Sequence, residues 1–175
     1  MPLLVVEYVR PNSMNLNQIN YTPIGIIHSP FTELESMPIQ PSGAQGIKGH
    51  ILINEDFIEG LDDLDGFSHI YLLYHLHLSN SYNLKVVPFL DDQLRGIFST
   101  RAPKRPNPIG LSVVKLNKIV MNRLDIENVD MVDGTPLLDI KPYVQDIDEV
   151  DYSRIGWLSK HIKEIHSRRS DQRFK

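Results

Sequence analysis

Apolar residues in this chain come in short bursts, each closed by turn-forming residues, and no feature constrains the fold more. Ile24-Gly25-Ile26-Ile27-His28 stops at Ser29-Pro30, and Ile51-Leu52-Ile53 is shorter still. Gly96–Ser99, Leu111–Met121, Leu124–Val129 and Leu137–Lys141 read as further strands. Asn122-Arg123 joins two of them as a tight hairpin, and Asp133-Gly134 marks a turn. Met37–Gly49, with its prolines and glycines, reads as a loop. The densest stretch, Phe67–Leu78, reads as a strand buried on both faces. A helix competes there, because Leu and His are weak strand markers. Helical spacing is confined to two places. Ile58, Leu61 and Leu64 recur every third residue within Asp56–Leu64, and Ile155, Leu158, Ile162 and Ile165 form one apolar stripe near the end. Many short strands and few helices predict a mainly β fold: a small antiparallel β-barrel with short helices and a C-terminal helix.

At 175 residues the chain suits one domain with its own core. It contains no cysteine, which excludes disulfides, thiolate nucleophiles and cysteine-held metals and is compatible with a reducing cytoplasm. No apolar run approaches the roughly 20 residues that span a bilayer, and no leader pattern opens the chain. The expectation is a soluble, cytoplasmic protein with no membrane contact. Residues 1–20 lack a sustained period and read as an N-terminal extension, with a short strand at Leu3–Val9. The net charge of −4 is unevenly spread. Arg154–Lys175 carries seven Lys/Arg against two Asp/Glu, and the rest of the chain eleven against twenty. Such a basic end either attracts phosphates locally or simply solubilises a frayed terminus.

Several chemistries are not advertised. The glycines never form Gly-x-Gly, there is no Gly-Lys-Ser/Thr phosphate loop, and Gly-x-Ser-x-Gly is missing. His75 and His77 would share a face of an extended strand, but no third ligand accompanies them at local spacing. They read as packed or hydrogen-bonded histidines, and no metal is expected. The segment Thr100-Arg101-Ala102-Pro103-Lys104-Arg105-Pro106-Asn107-Pro108-Ile109-Gly110 is more informative. Its prolines fix φ and remove backbone donors, giving a rigid loop on which Arg101, Lys104 and Arg105 ride without an acidic neighbour. Cations on stiff scaffolding lose little entropy when they bind an anion. The same loop could instead pair its arginines with the acidic body. Asp133-Gly134-Thr135-Pro136 presents hydrogen-bonding groups at a sheet end, either as a capped turn or as a ligand contact. Pro38-Ile39-Gln40-Pro41 is a stiff piece that says little alone.

Together, Thr22–Pro30, Leu61–Ile70, the Arg101–Gly110 loop and the Asp133–Tyr143 turn resemble, in that order, the TsaA/TrmO-like family of S-adenosylmethionine-dependent tRNA adenine N6-methyltransferases. The resemblance covers roughly residues 21–145, which it implies are the β-barrel domain, leaving 146–175 as a basic helical tail. It implies a cofactor site for S-adenosyl-L-methionine built from Pro38, Ile39, Gln40, His77, Leu78, Arg101, Leu111, Asp133, Gly134, Thr135 and Pro136. Arg101 would face the cofactor carboxylate and Asp133 its ammonium or ribose hydroxyls. The implied reaction methylates N6 of threonylcarbamoyladenosine beside the tRNA anticodon. Aligning nitrogen, methyl carbon and sulfur then supplies much of the catalysis. Asp139 and Asn107 are candidates to take the amine proton. Lys104, Arg105 and the basic tail would meet the anticodon-loop backbone. Family members usually pair as dimers, so the resemblance implies a homodimer. Two other readings stay open: a methyltransferase for another RNA or small molecule on the same barrel, and a cofactor-binding regulatory module without turnover.

Overall fold

A computed structural model describes residues 19–161 and 168–174. The expected strand at Leu3–Val9 lies outside the described residues. Six strands close a fully antiparallel barrel: β1 (Gly25–His28), β2 (Lys48–Ile53), β3 (His69–His75), β6 (Ile109–Val120), β7 (Arg123–Glu127) and β8 (Thr135–Pro142). Their order around the wall is β1-β2-β7-β6-β3-β8, and pairing of β8 with β1 completes the circle. Two further short strands, β4 (Lys85–Val86) and β5 (Arg95–Gly96), pair with each other outside the barrel. Only one short α-helix, α1 (Gln145–Asp148), occurs among the described residues, alongside several 3₁₀ turns.

Side chains alternate in and out along each strand, and the inward set fills the barrel. Ile27, Ile51, Ile70, Leu72, Val114, Leu124, Ile126 and Leu137 are almost wholly buried there. At this strand number the interior is packed with side chains rather than open, so any ligand must bind at a rim. Of Phe67–Leu78, only His69–His75 is strand, with a turn at His77-Leu78, and burial on both faces does not occur. Only Ile70, Leu72 and Tyr74 point inward, while Tyr71, Leu73 and His75 lie on the half-exposed outer wall. The strand ends at His75, so His75 and His77 do not share a strand face.

Several boundaries move by a residue or two. The hairpin between β6 and β7 turns on Met121-Asn122, with Arg123 already paired to Val120. Met121 takes the left-handed φ of 53°, and the Asn122 side-chain amide donates to the Ile53 carbonyl at 2.9 Å, tying the hairpin to β2. Within Gly96–Ser99 only Gly96 pairs as strand. Ile97–Ser99 winds into a 3₁₀ turn that drives Ile97 into a second cluster with Val86, Ala102 and Phe174. The Ile58, Leu61, Leu64 spacing of three matches 3₁₀ turns at Glu55–Leu61 and Leu64–Gly66, where residues three apart eclipse. Of the C-terminal stripe, Leu158 lies in a 3₁₀ turn over Gly156–Lys160, while Ile162 and Ile165 lie outside the described residues.

Candidate functional site: a recess at the barrel rim

Where β3 leaves the barrel, Tyr74, Leu76 and His77 line one side of a recess of about 170 Å³. Pro38 and Ile39, Arg101, and the β7–β8 connection at Asp130–Val132 with Thr135 form its other sides. The C-terminal segment supplies the last wall through Ser170, Asp171 and Phe174. A furrow of about 680 Å³ adjoins the recess along Ile39, Phe89, Arg101 and Phe174 and includes Gln40. Ligand pockets ordinarily occupy about 300–1,000 Å³, so recess and furrow together suit a nucleoside-sized ligand better than the recess alone.

Arg101 stands at the junction of the two hollows. Its guanidinium donates to the Gln40 side-chain carbonyl at 2.8 Å, which links the proline-stiffened loop to Pro38-Ile39-Gln40. Arg105 serves the loop itself: it donates to the carbonyls of Thr100 at 2.9 Å and Ile97 at 3.2 Å and lies over the Phe98 ring. Lys104 is half-buried, and its carbonyl accepts from the Asn83 amide.

Below Arg101 lies a chain of polar groups that sequence reasoning missed. The Ser112 hydroxyl donates to Asp130 Oδ1 at 2.8 Å. Its proton being committed, the Tyr74 hydroxyl, 3.1 Å away, donates to Ser112 Oγ. The Tyr74 ring fits because residue 110 is glycine: a Cβ there would collide with the ring. Burial pushes the Asp130 carboxyl up to about 6, although Ser112 and the charge of Arg101 favour its ionised form. Burial also raises the Tyr74 phenol, so it stays a donor. One signal was available: Ser112 stands at an inward position in the alternation of β6, between Leu111 and Val113, and a buried hydroxyl there needs a partner.

The C-terminal wall is built by strand-like pairing. Ser36 and Ser170 are bonded through the Ser36 amide at 3.0 Å, and the Ser170 amide donates to the Met37 carbonyl at 2.9 Å. The Ser170 hydroxyl donates to the Leu34 carbonyl at 2.6 Å. Arg173 reaches the Pro88 carbonyl at 2.7 Å and lies over Phe89, while Phe174 is buried against that ring. Nothing in the sequence announced this segment as a site wall, because its apolar content is one aromatic residue.

The structure therefore brings Pro38, Ile39, His77, Leu78, Arg101 and Thr135 to one recess, with Gln40 beside it. Other candidates are elsewhere. The Asp133 carboxylate accepts from the Ser29 amide at 3.1 Å and meets His28 Nδ1 at 3.0 Å, which hold its pKa below the usual carboxylate value. It braces the corner rather than lining the recess. Gly134, at φ 78°, makes the turn and bonds to Ile27, and Pro136 pairs with Ile26 on the barrel wall. Leu111 is on the outer wall, 53% exposed. Asp139 lines a different hollow with Ile24 and Pro142 and is paired to Lys141 at 2.8 Å. It lies four residues along β8 from Thr135, about 13 Å at 3.3 Å per residue. Asn107 is exposed in the loop and does not line the recess. No cluster of three or more metal-ligating side chains exists among the described residues. No described helix is long and apolar enough to cross a membrane.

Comparison with known proteins agrees with this architecture. A probable S-adenosyl-L-methionine-binding protein of Pyrococcus abyssi is 51% identical over 89% of this chain and 85% of its own length. The tRNA (adenine(37)-N6)-methyltransferase of Mus musculus is 38% identical over 72% of this chain but only 31% of its own. The crystal structure of TrmO from Pseudomonas aeruginosa superposes with a TM-score of 0.68 at 37% identity, over 81% of this chain and 63% of that one. A second TrmO crystal structure gives 0.70 at 40% identity, over 80% and 64%. The chain thus spans slightly under two thirds of those solved proteins. Residues 26–149 match the family model of the tRNA-methyltransferase O N-terminal domain, and the chain belongs to that family.

Proposed function

We propose that this protein binds S-adenosyl-L-methionine in the recess and furrow around Arg101 and transfers its methyl group to N6 of an adenosine in tRNA. The acceptor in this reading is threonylcarbamoyladenosine next to the anticodon. The observation that carries the proposal is the convergence of Pro38, Ile39, His77, Leu78, Arg101 and Thr135 on one rim of the barrel, in a chain whose relatives carry such names. The donor set fits the ligand. Apolar walls at Ile39 and Phe89 suit an adenine, a guanidinium suits a carboxylate, and Gln40 with backbone groups near His77 and Leu78 can read a base edge. Asp133, Gly134 and Pro136 shape the corner that holds Thr135.

The remaining parts of the reading follow from placement. Lys104 and the basic tail meet phosphates of the anticodon loop, whose bases are already single-stranded and cheap to present. Arg105 contributes by stiffening the loop. Asn107, exposed on that loop, is placed to touch RNA. A second copy of the chain covers the outer wall at Leu111, making the working unit a homodimer. Residues 21–145 are the barrel domain and 146–175 the basic tail, whose described residues 168–174 pack back against the rim. The reaction is set in the cytoplasm.

Isothermal titration tests the donor site. Arg101→Ala should weaken binding by about ten- to a hundredfold, the worth of a charge-assisted hydrogen bond; unchanged affinity removes Arg101 from the site. Radiolabelled S-adenosyl-L-methionine, offered with threonylcarbamoylated and unmodified tRNA, tests the reaction. Label entering only the modified tRNA is expected. The Pyrococcus abyssi relative, named only as a binding protein, favours a second reading, binding without turnover. Donor binding with label in neither tRNA would establish it.

A further inference from the structure

The geometry points to Asp130, fixed by Ser112 at the floor of the recess, as the group that accepts the proton of the methylated nitrogen. This deepens the reading above and rests on it.

The acceptor nitrogen of a threonylcarbamoyl-adenine is conjugated with both the purine and the carbamoyl carbonyl, so its lone pair is weakly nucleophilic. Attack becomes easier when its proton leaves as the new bond forms. The nitrogen pair makes the N–C bond to the methyl carbon, and the C–S bond breaks with its electrons returning to sulfur, which becomes neutral. The N–H proton passes to a base, leaving a neutral methylated nitrogen. No oxidant, metal or further reactant is required for this balance.

Few groups facing the recess can play that part. Arg101 is a cation without an acceptor. The Thr135 hydroxyl is buried and donates to the Val132 carbonyl at 2.7 Å, and that of Ser170 is directed to Leu34. Asp171 is clasped by Arg173 through both carboxylate oxygens, at 2.7 to 3.0 Å. His77 follows the end of β3, and no hydrogen bond among the described residues orients its ring. Among the described residues that line the recess, Asp130 is the base held in one orientation, by Ser112 and through it Tyr74, with no ion pair to a described side-chain cation.

Its environment suits the task. Tyr74 faces it from β3, Ser112 from β6 and Arg101 from the proline-rich loop, with His77, Asp171 and Arg173 farther along the recess and tail. Burial raises the carboxyl to about 6, so at neutral pH it is ionised yet a better proton acceptor than an exposed aspartate.

The test combines binding, titration and turnover. In wild-type protein without ligand, carbon-13 NMR should show the Asp130 carboxyl titrating near pH 6, and in Ser112→Ala at higher pH because a donor to the ionised form is lost. Asp130→Asn should bind S-adenosyl-L-methionine with affinity within about threefold of wild type, yet lose about a hundredfold or more in single-turnover methylation of threonylcarbamoylated tRNA. The rising limb of the wild-type pH–rate profile should vanish in Asp130→Asn and move upward in Ser112→Ala. Three outcomes would overturn the assignment. A wild-type profile in Asp130→Asn shows that another group takes the proton. A loss of donor affinity of about tenfold or more makes Asp130 a counter-ion of the ligand instead. Donor binding by wild type with no methylation at any pH removes the transferase reading, and this assignment with it.

Discussion

Asp130 leaves a mark on stability as well as on chemistry. Its carboxyl keeps its proton up to about pH 6 in the folded chain, against 3.8 for an unperturbed aspartate. Between those values the folded state binds more protons than the unfolded one, so stability falls as pH rises through that window. The cost is complete above pH 6 and relieved below pH 4. Asp130→Asn, which never ionises, should therefore stabilise the protein at pH 8 by about 2–3 kcal/mol, the worth of two pK units. Thermal melts should show the gain shrinking as pH approaches 4. A variant no more stable than wild type at pH 8 would mean that the carboxylate is better solvated than its position implies. Asp133 behaves in the opposite sense, because the Ser29 amide and His28 stabilise its charge; it favours folding above the usual carboxylate range and loses that contribution as pH falls.

At the scale of elements, two devices shape the recess. The first is the close meeting of β3 and β6, where Gly110 leaves room for the Tyr74 ring. Gly110→Ala should displace that ring and break its bond to Ser112, costing about 1–3 kcal/mol of stability as an overpacking change. The wild-type melting temperature in Gly110→Ala would contradict the fit described. The second is the C-terminal segment, paired to Ser36 and Met37 through Ser170. Removing residues 168–175 strips one wall of the recess but leaves the barrel strands intact. Its expected effect is a loss of S-adenosyl-L-methionine affinity with little change in far-ultraviolet circular dichroism. Undiminished affinity would reduce the segment to packing.

For the whole molecule, the barrel was legible because its rule is local: apolar residues alternate and turn residues punctuate. What was not legible depended on distant partners. Phe67–Leu78 looked buried on both faces because composition does not show that a barrel wall leaves its outer side half open. Ile97–Ser99 looked extended until the second cluster claimed Ile97. The site divided along the same line. Arg101 and Thr135 stand in motifs whose chemistry shows in sequence, and they share the recess. Asp139 carries the right chemistry and sits in another hollow. Asp130 went unnoticed because its character comes from burial beside Tyr74 and Ser112, residues far from it along the chain.

The most direct test is a crystal structure of the protein soaked with S-adenosyl-L-methionine. Density for the ligand is expected across the recess and furrow, its carboxylate against Arg101 and its methyl pole open toward the side of Asp130. Ligand seated in the hollow beside Asp139, or on the outer wall at Leu111 with the Arg101 recess empty, would contradict the site assigned to this barrel.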